Sequence, residues 1–215
     1  MNEIRQPVVI APDEIEGKSF TIIEDEFYEQ TFLHPQSLDT EMFQIIRRVI
    51  HATGDFSFAT GLVFQPDSIR SGVCSIQSGR DIYIDVGMGA SGINRALLES
   101  FGGSVRCHIN DPGMAESARK AGRTRTETAV RSIKGGNVGI IAVGNAPTAL
   151  MATMEMIEKE EITPDLVIGV PVGFVNASES KELLAQKDYP FITNTGRKGG
   201  SPVAVAIVNA LLRLA

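Results

Sequence analysis

Histidine and cysteine are scarce in this sequence, with three of the first and two of the second among 215 residues. Cys74 and Cys107 stand too far apart for a disulfide framework or a zinc cage, so both are expected to be reduced, buried thiols. His34, His51 and His108 are scattered, neither HxxxH nor CxxC spacing occurs, and a protein-held metal is not expected. No stretch approaches the roughly 20 apolar residues that a membrane-spanning helix needs. The opening MNEIRQPVVIAPDEIEG lacks the basic-then-apolar plan of a secretory leader, which leads us to expect a cytoplasmic protein with no membrane partner. Repeats, low-complexity tracts and linkers are missing as well, and a hydrophobic content of 43% over this length fits a single domain, residues 1–215.

An excess of positive charge is also lacking. The net charge of −6 argues against nucleic acid as the main partner, because phosphate binding needs a dominant basic surface. The balance is uneven, however. The first thirty residues carry eight acids and two bases, whereas ARKAGRTRTETAVRSIK, residues 118–134, carries six bases and one acid. A basic island in an acidic chain is either a solvated helix face or a docking surface for an anionic ligand.

What is present is alternation. Short apolar runs that read as buried strands recur at DIYIDV (81–86), VRCHI (105–109), VGIIAV (138–143), DLVIGV (165–170) and PFIT (190–193). Helical periodicity fills the intervals, as in PTALMATMEMIEKEE and ASESKELLAQ. The pattern predicts an α/β fold: a mostly parallel sheet with helices on both faces, Rossmann-like and three-layered, plus N-terminal helices. Three strands lead into glycine-bearing turns, AVGNAPTAL, GVPVGFVNASES and NTGRKGGSPVAVA, which would line a ligand crevice beyond the carboxyl ends of the strands. In the second of these, residues 171 to 174 offer an apolar wall.

Residues 12–28 and 37–52 read as two further helices, the second starting near Pro35 with Ser37 as N-cap and ending at Gly54. At 100 degrees per residue, Leu38, Met42, Ile45, Ile46 and Val49 form one stripe on it, and His51 falls roughly opposite. That histidine lies in the last turn, where the carbonyl end of the helix attracts positive charge, so it is a candidate proton donor with a surface or capping role as the alternative. His34 sits in a connecting turn and His108 beside Cys107 in a strand, where packing is the simpler role.

The stretch VGMGASG places Gly87, Gly89 and Gly92 in GxGxxG spacing, with Asp111 about twenty residues on. This pattern allows a nucleotide-dependent oxidoreductase. The competing explanation is a tight strand-to-helix turn.

RRVIHATGD, the TRT of residues 124–126, AVGNAPTAL, GVPVGFVNASESK and GRKGGSPVAVAIVNALL together resemble the precorrin-8X methylmutase family, which includes the cobalt-precorrin-8 enzymes. The resemblance runs from the KSF of residues 18–20 to the C-terminal end. It implies a cobalamin-pathway isomerase that moves a methyl group from carbon 11 to carbon 12 of a contracted anionic tetrapyrrole, giving hydrogenobyrinate or cobyrinate. It further implies an α/β homodimer without cofactor, with His51 matching the proposed proton donor and Ser19 and Arg125 matching residues at the substrate. Thr124 comes with the TRT motif.

The residues themselves fit such chemistry. A [1,5]-sigmatropic methyl shift needs no nucleophile or hydride, only a macrocycle held in one tautomer and a positioned acid. A carboxylate-fringed substrate would account for Arg123 and Arg125 in the basic island and for Arg197 and Lys198 at a glycine-rich helix entrance. Asn145 either touches substrate or caps the helix that begins at Pro147. Ser19, among Ile15, Ile22 and Ile23, is either a site residue or a small residue at a helix crossing. A non-catalytic tetrapyrrole carrier is the third reading.

Overall fold

Alternate residues of each central strand enter opposite cores. In a computed structural model that describes residues 10–133 and 136–215, one sheet is formed by β1 (Leu62–Phe64), β2 (Asp81–Ile84), β3 (Val105–Arg106), β4 (Val138–Val143), β5 (Leu166–Gly169) and β6 (Phe191–Asn194). Their spatial order is β1-β6-β5-β4-β2-β3. Ile82, Ile84, Ile140, Ala142, Leu166, Ile168 and Ile192 pack on one side. Tyr83, Ile141, Val143, Val167 and Phe191 pack on the other. A period of two with both sides buried is the signature of a sheet covered on both faces.

The first face is covered by α1 (Ile15–Thr31), α2 (Thr40–Thr53), a short α3 (Phe58–Gly61), α4 (Ser68–Gln77), α5 (Gly87–Gly92) and α6 (Arg95–Ser100), together with the C-terminal α11 (Ser201–Leu214). The second is covered by α8 (Arg125–Arg131), α9 (Pro147–Glu158) and α10 (Ala177–Leu184), with α7 (Met114–Ala121) packed on α8. The fold is therefore the expected mostly parallel α/β sandwich. One strand departs from it: β1 runs antiparallel to β6, with Leu62 opposite Asn194 and Phe64 opposite Ile192. LVF is a three-residue strand straight after a helical turn, too short to show a period of its own.

The strand at VRCHI is shorter than expected, ending at Arg106. His108 consequently lies outside it, with Nδ1 2.7 Å from Asp111 Oδ2 and its ring stacked on Tyr83 at 5.7 Å between centroids. The cysteines also differ from expectation. Cys74 is exposed, because the buried side of α4 carries Ser68, Ile69, Gly72, Ser75 and Ile76, and Cys107 is only partly buried.

Asp39, not Ser37, caps α2: its Oδ1 accepts the Glu41 and Met42 amides, each at 3.0 Å. Ser37 ends the short 3-10 turn Pro35–Ser37, and its hydroxyl donates to the His34 carbonyl at 2.7 Å. Gly54 closes the helix in the left-handed region, φ 65°, as its position predicts. Ile45, Ile46, Val49 and Ile50 are buried against α11, which is apolar almost throughout. At roughly 1.5–3 kcal/mol for each buried aliphatic side chain, this stripe fixes the rotation of α2 and turns His51 outward. Among the described residues no helix is long and apolar enough to cross a membrane. The segment MNEIRQPVV and Lys134 of the basic island lie outside the described residues.

Candidate active site

The loops leaving β2, β4, β5 and β6 meet at one end of the sheet and are stitched to one another. Asp85, just past β2, is fully buried, and its carboxylate accepts the amides of Gly144, Asn145 and Ala146 at 3.1, 2.9 and 2.8 Å. Burial pushes the Asp85 carboxyl up from its ordinary pKa while the three amides pull against it. The Gly200 amide donates to the Val170 carbonyl at 2.8 Å, and the Gly173 amide to the Arg197 carbonyl at 3.2 Å. Gly199, at φ 148°, lies so close to the Val170 carbonyl that a Cβ would overlap it.

His51 stands at the edge of this pole. It is exposed, and a cleft of about 230 Å³ beside it is lined by Arg48, Ala52, Pro202, Val205, Ala206 and Asn209. The Phe20 ring of α1 meets the imidazole edge-on, centroids 5.4 Å apart. Arg47 and Arg48 lie over that same ring, at 4.2 and 5.2 Å from its centroid. Arg48 is also paired with Glu16, and this hydrogen bond is the main cause of the lowered Glu16 pKa. Ser19 precedes Phe20 on α1. It is half-buried, and its hydroxyl donates to the Ile15 carbonyl at 2.8 Å.

A chain of contacts runs from His51 to the basic island. Pro202 of the cleft opens α11, whose first residue Ser201 packs against Gly144 so closely that a Cβ on Gly144 would fall 2.8 Å from Ser201 Cα. Asn145 follows, exposed. The N-cap of α9 is Ala146, not Asn145, whose side chain has no hydrogen-bond partner among the described residues. Thr148, at the start of α9, shares a hydrogen bond of 2.9 Å with Thr124. Thr124 in turn caps α8 by accepting the Glu127 amide at 3.1 Å. Arg125 is the next residue. Among the described residues no carboxylate pairs with Arg125 or Arg197, whereas Arg123 is held by Glu127 at 3.2 Å. Arg197 lies over the Phe174 ring at 5.3 Å, and Phe174 is 83% exposed. Lys198 is less free: its ammonium lies 2.6 Å from Asp55 Oδ2 and 2.9 Å from Ser57 Oγ.

The GxGxxG stretch forms the short helix α5, and its glycines answer to packing. A Cβ on Gly89 would overlap Ile84 Cδ1, and one on Gly92 would lie 3.0 Å from Val205 Cγ1. Asp111 is bonded to His108. The dinucleotide reading has no support here.

The family model for precorrin-8X methylmutase matches residues 14–214. The chain belongs to the precorrin-8X methylmutase family. It is 44% identical over 211 residues to the cobalt-precorrin-8 methylmutase of Priestia megaterium, covering 98% of this chain and 91% of that one. Identity to the enzyme of the same name from Salmonella typhimurium is 42% over 203 residues, with 94% of each chain covered. The crystal structure of the Thermus thermophilus precorrin-8X methylmutase superposes with a TM-score of 0.78 at 37% identity, covering 94% of this chain and 96% of that one.

Within this methylmutase chain, sequence reasoning missed Asp85, Asp55, Phe20 and Arg48. Arg48 had a signal: it precedes His51 by three residues and so shares its helix face. Asp85 had none, because an acid at the end of DIYIDV looks the same whether it faces solvent or three amides.

Proposed function

We propose that this chain catalyses the methyl shift of a contracted tetrapyrrole, cobalt-precorrin-8 or precorrin-8X, with His51 as the proton donor. The observation that carries this reading is the position of His51: an exposed imidazole at the rim of a cleft, linked through Pro202, Gly144 and Thr148 to Thr124 and to Arg125, which no carboxylate pairs among the described residues. The reaction is an isomerisation in which one carbon–carbon bond breaks, another forms, and no atom is gained or lost. The residues have only to hold the macrocycle and lend a proton where its electrons reorganise. Arg125 and Arg197 would take carboxylates of the substrate rim, Thr124, Asn145 and Ser19 would offer neutral hydrogen bonds, and Lys198 would present the donor left over from Asp55 and Ser57. Phe174 would lie against the apolar ring.

The cleft beside His51 falls below the roughly 300–1,000 Å³ of small-molecule sites. Ile15 and Ile22, about half exposed, flank Ser19 on the face of α1 next to it. Both points support a homodimer in which a second copy deepens the site. We read the protein as one domain over residues 1–215, cytoplasmic, working without cofactor and without nucleic-acid or membrane partners.

The test is to incubate the purified chain with each tetrapyrrole and denature it. A new absorbance spectrum that persists after denaturation is expected, whereas a carrier would give only a reversible band shift. His51→Ala should lower kcat by at least about 100-fold while still binding product. An alanine variant of full activity would overturn the assignment.

A further inference from the structure

Lys181 lies in the middle of α10 and is 1% exposed, an unusual place for a lysine. Its ammonium donates to the Lys198 carbonyl at 2.6 Å and reaches Asn194 Oδ1 at 3.4 Å. The Asn194 amide donates to the same Lys198 carbonyl at 2.8 Å and to the Thr195 carbonyl at 3.1 Å. Residues 195–200, with Arg197 at their tip, therefore hang from a buried point formed by one lysine and one asparagine. On the outer side the Lys198 side chain ties the same loop to Asp55, just beyond the helix that carries His51.

We propose that Lys181 is a positioning residue of this site: by holding the Lys198 carbonyl from below, it sets the height of the Arg197 guanidinium over the crevice and the reach of Lys198 toward the end of α2. This rests on the function proposed above. Lys181 does not touch the substrate. It acts through the loop, and a charge-assisted hydrogen bond to a carbonyl inside the protein is the strong kind, sensitive to loss of the charge.

Among the described residues no carboxylate neutralises Lys181. Glu182 on its own helix takes the Ser178 hydroxyl, and Glu179 is exposed. On α9, Glu155 is paired with Arg131 and Lys159, and Glu158 with Lys187. Of the loop cations, Lys198 turns to Asp55 and Arg197 to Phe174. Burial alone pulls the Lys181 pKa down to about 8. The group is therefore an ammonium at neutral pH and loses its proton as pH rises through that value. The neutral amine keeps two N–H donors but not the charge that strengthens them.

The experiment compares the wild type with Lys181→Met in two ways: kcat and KM for the methyl shift from about pH 6 to pH 9.5, and the NMR shifts of the Gly199 and Gly200 amides over the same range. Methionine fills the volume, and Asn194 still serves the Lys198 carbonyl, so the variant should fold. In the wild type we expect both amides to move with a midpoint near pH 8, and activity to show a fall at that same midpoint beyond the loss that follows deprotonation of the His51 acid. In the methionine variant we expect kcat/KM at neutral pH to drop about tenfold, with the step near pH 8 and the amide titration gone while the His51 limb stays. A variant that keeps both the wild-type rate and the step near pH 8 overturns the proposal, and so do wild-type amides that do not titrate. Should the wild type convert neither tetrapyrrole, the functional reading fails by itself, and the amide titration still decides whether Lys181 controls the loop.

Discussion

The Lys198 ammonium sits 2.6 Å from Asp55 Oδ2, joining the loop after β6 to the turn that ends the His51 helix. This hydrogen bond is the main reason the Asp55 carboxyl is held below its ordinary range. A depressed folded pKa means a contribution that is complete above the unfolded value, about 3.9, and is lost as pH falls through the folded value. Both groups are partly exposed, so the pair is worth only about 0–1 kcal/mol. Asp55→Asn should therefore melt within a few degrees of wild type at neutral pH, and the difference should shrink as pH falls below about 3.9. The larger change should be in KM, because Lys198 is released. Thermal melts at neutral and at acid pH and a steady-state assay check this; an unchanged KM would mean that the tie has no bearing on substrate.

Asp85 makes a stronger prediction, since its fully buried carboxylate serves three backbone amides. Asp85→Ala leaves Gly144, Asn145 and Ala146 without their acceptor, at a cost of roughly 3 kcal/mol or more. Asp85→Asn should lose less, because one oxygen remains, but it turns an NH₂ toward a donor. Urea unfolding should rank the proteins wild type, asparagine, alanine in falling stability. Equal midpoints would show that the loop before α9 holds its shape unaided.

Gly89 tests the dinucleotide reading. A methyl group there meets Ile84 in a packed layer, so Gly89→Ala should lose about 1–3 kcal/mol through overpacking. Calorimetric titration with NAD or NADP should give no heat at ligand concentrations up to about 1 mM, a range that would reveal any working dinucleotide site. Binding of either nucleotide in wild type, abolished by Gly89→Ala, would revive the oxidoreductase reading.

The contrast between Gly89 and His51 shows which features a sequence can carry. His51 was placed by arithmetic on its own helix, because the apolar stripe of α2 sets the rotation and Gly54 sets the end. The parallel strands around VGIIAV were equally legible, since a run buried on both faces is apolar throughout. GMGASG, by contrast, has the spacing of a nucleotide turn, yet Gly89 is small because Ile84 of β2 lies against it, and Gly92 because Val205 of α11 does, a neighbour more than a hundred residues away. Asp85 and Lys181 escaped for the same reason. A buried charge looks like a surface charge until its partners, which lie 59 and 17 residues away, are in view. Likewise β1 exists only because β6 offers an edge for pairing.

Arg125 separates binding from chemistry. It follows the Thr124 cap, so its backbone is fixed by α8, while its guanidinium has no carboxylate partner among the described residues. Cutting it to alanine should remove a charge-assisted bond to a substrate carboxylate and little else, since no internal pair is broken. The expected loss is about 10- to 100-fold in affinity. Such a bond is made in the ground state and kept in the transition state, so the loss should appear in KM with kcat within about threefold of wild type. His51→Ala should give the opposite pattern. Titrating product against Arg125→Ala at two salt concentrations completes the check, because an anion dock should also lose part of its salt dependence. If the variant binds product as tightly as wild type, Arg125 is a solvated helix-end residue and the carboxylates are held elsewhere.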